Sequence, residues 1–206
     1  MKLLNCMRTL FLAAGIAASF GVAAQSFPSK PILWVVGFPP GGGADFVARA
    51  VTRTMAANIG QSIVVENRPG ASSIIAAQSV AQAAPDGYTL FGADGGALVL
   101  NPALYAKLPY DPARDFVPVS LIIRAPQDAA VAATVGVVAP RGTPTEVVAR
   151  LSAEVAKAVK DPELNKRLAD LGMEPISTTP EEYTAYLDAD AKRFQPLIKS
   201  LNIRLD

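Results

Sequence analysis

The sequence predicts an α/β fold, with a mostly parallel sheet flanked by helices. Three observations predict it. Short apolar runs alternate with helical patterns through the first half of the chain, the signature of strand–helix–strand units. The run Ile32-Leu33-Trp34-Val35-Val36 passes through a glycine loop, Gly41-Gly42-Gly43, into a helical pattern over 44–59. The last third is helical and closely punctuated by capping residues and prolines.

In chain order, residues 32–36 form a first strand, apolar throughout and so buried on both faces. The helix over 44–59 follows. Ser62-Ile63-Val64-Val65-Glu66 is β-branched and reads as a second strand. Asn67-Arg68-Pro69-Gly70-Ala71 holds two breakers and reads as a turn. The alanine-rich stretch 72–84 predicts a helix, stopped by Pro85-Asp86-Gly87, and 88–92 predicts a third strand. Between 101 and 118, Pro102, Pro109, Pro112 and Pro118 favour a turn-rich, extended excursion over a long helix. Residues 119–123 and 135–139 predict two more strands, while 124–134 fits neither period. Thr143-Pro144-Thr145-Glu146 supplies an N-cap, a proline and a glutamate ahead of Val147, Leu151, Val155 and Val159, one apolar face at four-residue spacing. Asp161-Pro162 opens a second helix that Gly172 ends, and Thr179-Pro180-Glu181-Glu182 opens a third, which Pro196 kinks or ends.

Composition narrows the function. Residues 1–24 carry Lys2 and Arg8, then an apolar stretch, then Val22-Ala23-Ala24, and read as a cleaved signal peptide. Its removal takes two of the 19 Lys and Arg and none of the 18 Asp and Glu, which leaves a net charge of −1. That balance gives no support for binding nucleic acid or an anionic membrane. Cys6, the only cysteine, leaves with the leader, and the chain has no histidine. Ser-His-Asp and Cys-His nucleophiles, thiolate metal sites and histidine-ligated metals are therefore excluded. No calcium-type spacing of Asp and Asn is present. Neither a catalytic residue, nor a metal, nor a cofactor is expected.

The glycine loop is the strongest chemical feature. Glycines leave backbone N–H groups uncovered, and a helix N-terminus adds unpaired donors and a partial positive charge. Such a place suits a phosphate or a carboxylate. No Lys-Ser/Thr pair follows the glycines, so it is not a phosphate-binding P-loop. Asp45, in the first helical turn, complements the dipole and can order the loop by accepting its N–H groups.

Several segments together carry a family resemblance. They include Pro39-Pro40-Gly41-Gly42-Gly43-Ala44-Asp45, Val65-Glu66-Asn67-Arg68-Pro69-Gly70-Ala71 and Ala84-Pro85-Asp86-Gly87-Tyr88-Thr89-Leu90. Asp115-Phe116-Val117-Pro118-Val119, Ala139-Pro140-Arg141-Gly142-Thr143-Pro144 and Leu171-Gly172-Met173-Glu174-Pro175 follow in the same order. The chain resembles the Bug-type substrate-binding proteins of tripartite tricarboxylate transporters. The resemblance implies a periplasmic receptor that captures small carboxylates non-covalently in a cleft between two α/β lobes and delivers them to a membrane permease. It implies ligand contacts from the glycine loop and from the loop after the third strand. The candidate ligand-binding residues are Phe38, Pro40, Gly41, Gly42, Gly43, Asp45, Asp94, Gly95 and Gly96. Within this set, Asp45 is assigned to loop ordering and Phe38 to the cleft wall, while Trp34 is assigned to the core.

Two departures stand out. Where the family continues into a second lobe of about 100 residues, an ordinary size for a compact unit, this chain passes almost directly from Arg124-Ala125-Pro126 to Thr134-Val135-Gly136-Val137-Val138-Ala139-Pro140. The expectation is one periplasmic-binding-protein-like lobe over 25–206, built from segments 25–125 and 135–206 joined by a short bypass near 126–134. The loop after the third strand also reads Gly92-Ala93-Asp94-Gly95-Gly96, where the family tends to carry a hydroxyl. An ionised Asp94 in the cleft would repel a carboxylate, and alternatively its oxygen can cap the next helix. With one lobe, binding is expected to be impaired. The alternative reading is a non-binding remnant, or an interaction protein that docks to a partner or forms a homo-oligomer across the exposed cleft.

Overall fold

The computed structural model of the chain describes residues 27–124 and 134–205. The expected signal peptide lies outside the described residues, as does most of the expected bypass. Strand β1 (Ile32–Val36) leads to helix α1 (Gly43–Ile59), strand β2 (Ile63–Asn67), a 3₁₀ turn (Ala71–Ser73) and helix α2 (Ile74–Ala81). Strand β3 (Thr89–Asp94) runs into a π-helical turn (Gly96–Leu100) and two short helices, α3 (Asn101–Leu104) and α4 (Pro112–Asp115). Strands β4 (Phe116–Arg124) and β5 (Thr134–Pro140) are followed by α5 (Thr145–Val159), α6 (Pro162–Asp170), β6 (Glu174–Pro175) and α7 (Pro180–Ser200).

These strands form one six-stranded sheet in the order β2-β1-β3-β5-β4-β6. β1 pairs in parallel with β2 and with β3. β5 pairs antiparallel with β3 and β4, and β4 pairs antiparallel with β6. The sheet is thus mixed rather than mostly parallel: its first half is parallel and its second is not. The reason is that β5 doubles back along β4, and a strand buried on both faces looks the same in sequence whichever way it runs.

Alternate residues of β1 enter two cores, as a pleated strand requires. Ile32, Trp34 and Val36 pack with Val47, Val51 and Met55 of α1, with Val147, Leu151 and Val155 of α5, and with Leu164 and Leu168 of α6. Val35 and Phe91 pack on the other side with Ala76, Ala77 and Val80 of α2 and with Tyr183 of α7. The apolar stripe expected at Val147, Leu151, Val155 and Val159 is buried throughout.

Local differences have local causes. Helix α2 starts at Ile74 rather than 72, because Ser72 and Ser73 take left-handed backbone conformations. The proline-rich stretch holds α3 and α4, in which Pro102 and Pro112 occupy first-turn positions that need no N–H donor. Strand β4 begins at Phe116 and so includes Pro118, beside a register shift that absorbs the missing donor. Thr178 repairs the adjacent stretch: its hydroxyl accepts the Leu121 N–H at 2.9 Å, and its carbonyl accepts the Ser120 hydroxyl at 2.9 Å. Pro196 lies inside α7, which continues to Ser200.

Candidate functional site

β2 lies on one side of β1 and β3 on the other, each reached through a helix. The carboxyl ends of β1 and β3 therefore flank the point where the strand order reverses, which is where open α/β sheets leave a crevice. A cavity of about 540 Å³ opens there. Phe38, Pro39, Gly42, Gly43 and Ala44 line it from the first loop and helix, and Asp94, Gly95 and Gly96 from the end of β3.

The first loop is built by one carboxylate. Gly41 has φ +84°, a backbone conformation that side chains disfavour. Its N–H donates to Asp45 Oδ2 at 2.9 Å. Arg49 Nε donates to Asp45 at 2.9 Å, and Asn67 Nδ2 to Asp45 Oδ1 at 2.9 Å. Asn67 also donates to the Phe38 carbonyl and accepts from Arg49. The hydrogen bond from Arg49, then those from Gly41 and Asn67, outweigh burial and draw the Asp45 carboxyl down to about 2. Asp45 is 4% exposed and lies beneath the loop, not in the cavity lining.

This arrangement divides the expected residues. The Gly41 N–H is taken by Asp45, and Pro40 and Gly41 are exposed beside the cavity rather than lining it. Gly42 caps α1 in an extended conformation, and its carbonyl accepts the Phe46 N–H at 2.9 Å. The N–H groups of Gly43 and Ala44 precede the first intrahelical bond, and neither has an acceptor among the described residues. They are the donors that α1 presents to the cavity.

Asp94 closes β3 and folds back over its own loop. Its Oδ2 accepts the Gly96 N–H at 3.0 Å and closes a tight turn, whereas the π-helical turn that follows has Gly95 as its N-cap with no side-chain bond. A Cβ on Gly96 would stand 2.5 Å from that oxygen, so a side chain there would displace the Asp94 carboxylate. Oδ1 is buried with no partner in hydrogen-bonding geometry. Burial raises the Asp94 pKa, opposed by backbone N–H groups including those of Ala97 and Gly96 and by the Ser73 hydroxyl.

The sequence reading missed the rest of the wall. Val99 and Leu100 come from the π-helical turn, Thr134 and Val135 from the start of β5, and Asp190 and Phe194 from α7. Asp190 and Phe194 are one helical turn apart, a spacing visible in the sequence, but only the docking of α7 shows which way that face points. Burial raises the Asp190 pKa as well, against the pull of the Tyr186 hydroxyl. No Lys or Arg lines the cavity among the described residues. Trp34 is fully buried and stacks over Gly92, in the core as expected. Arg68 pairs with Glu66 at 2.6 Å, away from the cavity lining. Among the described residues there is no acidic cluster fit for a metal ion and no helix long and apolar enough to cross a membrane.

The sequence profile of the tripartite tricarboxylate transporter family receptor matches in two stretches, residues 47–135 and 127–203. A UPF0065 protein from the tcbD-tcbE intergenic region of Pseudomonas sp. is 47% identical over 102 residues, covering 50% of this chain and 30% of that protein. Protein BugT of Bordetella pertussis is 40% identical over 122 residues, covering 59% of this chain and 37% of its own length. The chain thus spans about a third of the length of the curated relatives it matches. Among solved structures, an R. palustris protein with adipate superposes with a TM-score of 0.80 at 21% identity, covering 87% of this chain and 100% of that one. At that identity the likeness concerns the fold.

Proposed function

Since the chain belongs to the receptor family of tripartite tricarboxylate transporters, whose members are periplasmic binding proteins rather than enzymes, we propose that it captures a small carboxylate-bearing solute after export through a cleaved leader over 1–24 and presents it to a membrane permease. One observation carries this reading. The cavity lies at the strand-order reversal, and the first turn of α1 offers it the free N–H groups of Gly43 and Ala44. A carboxylate seated there meets two donors and the positive end of a 17-residue helix. Phe38, Val99, Leu100, Val135 and Phe194 supply apolar walls. Capture needs no bond-making, so nothing is asked of a nucleophile or a general base.

The chain performs this as a single lobe, with segments 25–125 and 135–206 joined near 126–134. The two-part family match supports that organisation, since its parts meet at the same place. A single lobe covers one side of its ligand, whereas closed clefts bury most of the ligand's surface. Isothermal titration of the mature chain against di- and tricarboxylates should give dissociation constants of about 0.1–1 mM, equivalent to roughly 4–5.5 kcal/mol. Submicromolar affinity from a monomer would overturn the one-lobe account. Absence of binding to every acid at 10 mM would overturn capture itself.

A further inference from the structure

Residues 71–73 do not line the cavity, yet they adopt a backbone conformation that L-residues avoid. Ala71, Ser72 and Ser73 follow one another at φ 46°, 51° and 67°, and none is glycine. Left-handed backbone costs such residues free energy and persists where the surroundings over-determine it. Asn101, itself buried, donates through Nδ2 to the Ser72 carbonyl at 2.9 Å, and the Ser72 and Tyr105 hydroxyls share a hydrogen bond of 3.0 Å. So fixed, the turn buries the Ser73 side chain, 2% exposed, against the end of β1. Its Oγ makes a long hydrogen bond to the Gly37 carbonyl, 3.4 Å, and a Cβ on Gly37 would collide with that hydroxyl. β1 and β3 are adjacent parallel strands with Val36 paired to Gly92, so Gly37 and Asp94 leave the sheet close together. From its place beside Gly37 the Ser73 hydroxyl also bonds the Asp94 carboxylate. Serine has one hydroxyl hydrogen, and the long Gly37 contact leaves the carboxylate as its stronger acceptor.

We infer that Ser73 is a positioning residue of the capture site: held by its strained turn, its hydroxyl keeps the Asp94 carboxylate folded onto its own loop and out of the path of an incoming acid. The inference rests on the capture reading above and deepens it, since Ser73 acts on the ligand only through Asp94. Asp94 is part of the cavity wall, and no lining cation offsets its charge. The Gly96 N–H holds the carboxylate from within the loop, and Ser73 holds it from the turn after β2. Without the hydroxyl the carboxylate loses a donor and turns toward the cavity, where its charge opposes a bound carboxylate. The other ionisable groups around Asp94 do not replace that donor. Burial, and with it the Asp94 charge, raises the pKa of Tyr110 and Tyr183, and the Tyr110 hydroxyl is spent on the Ala97 carbonyl at 2.7 Å. Asp190 of the same lining is another acid.

Two readouts on the mature chain test this: titration of the Asp94 carboxyl by carbon-13 NMR without ligand, and isothermal titration with adipate, malate and citrate at neutral pH. In Ser73→Ala the Asp94 carboxyl should titrate at higher pH than in the parent, and the tightest of the three acids should bind about fivefold more weakly. Ser73→Gly removes the same hydroxyl while easing the backbone and should repeat both changes. Ser72→Gly eases the adjacent backbone at an exposed residue; it should leave the Asp94 titration unchanged and the affinity within about twofold of the parent. Adding Asp94→Asn to Ser73→Ala removes the charge and should bring affinity back to within about twofold, a rescue that lost packing would not allow. An Asp94 titration unmoved in both Ser73 variants overturns the inference, and so does parent-like affinity in both. Weakening that Asp94→Asn does not rescue, or that Ser72→Gly reproduces, overturns it as well and leaves carboxylate capture standing. Failure of all three acids to bind the parent at about 10 mM overturns the capture reading and the inference with it.

Discussion

Asp45 has its pKa drawn from 3.8 to about 2, chiefly by the hydrogen bond from Arg49, then by those from Gly41 and Asn67. A depressed carboxyl stabilises the folded state fully above its unfolded value and loses that contribution as the pH falls through its folded value. The window here runs from about pH 4 to about pH 2. Because the Arg49 side chain is half exposed, solvent screening reduces the net contribution to about 1 kcal/mol. Asp45→Asn should therefore lower stability by about 1 kcal/mol at pH 7, and urea midpoints should show the gap to the parent chain shrinking at pH 3. An equal gap at both pH values would show that shape, not charge, holds the loop. The role of Asp45 was legible because a carboxylate in a first helical turn has few better uses. Its partnership with Asn67 was not, since that residue arrives from β2, and Asp190 reaches the cavity only through the docking of α7.

Two segments of similar sequence show what separates a helix start from its imitation. In α7, Thr179 Oγ1 accepts the Glu182 N–H at 3.1 Å and Glu182 Oε2 accepts the Thr179 N–H at 2.8 Å, the full capping box that Thr179-Pro180-Glu181-Glu182 predicts. In α5 the same pattern fails. Thr143 Oγ1 donates to the Pro140 carbonyl at 2.8 Å, and Pro144 becomes the N-cap with no side-chain bond. The turn at 140–143, buried at Pro140 and Thr143 and exposed between them, claims the hydroxyl, and no local pattern records that competition. Thr179→Ala should cost about 1 kcal/mol, read as a lower urea midpoint with an unchanged m-value. An unaltered midpoint would mean that burial of Tyr183 alone positions α7. The strands were legible in place and extent, to within one or two residues for β1, β2 and β3. The direction of β5 was not, because both of its faces are buried.

Across the whole molecule, the described residues share one sheet with helices on both faces, and residues 27–124 and 134–205 both contribute strands to it. A chain of this size folded as one body has a radius of gyration of about 16 Å. Small-angle scattering should give that value, and saturating ligand should leave it unchanged, whereas a contraction would reveal two bodies closing about a hinge. The pairing where β4 ends and β5 begins has a consequence for how such a chain changes over generations. Arg124 and Thr134 are direct cross-strand partners, so β4 leaves the sheet and β5 re-enters it at adjacent points. Because compact domains often have neighbouring termini, this gap works as a splice port. An insertion there would leave every strand pairing of the described residues in place, so whatever joins β4 to β5 can vary without unmaking the sheet.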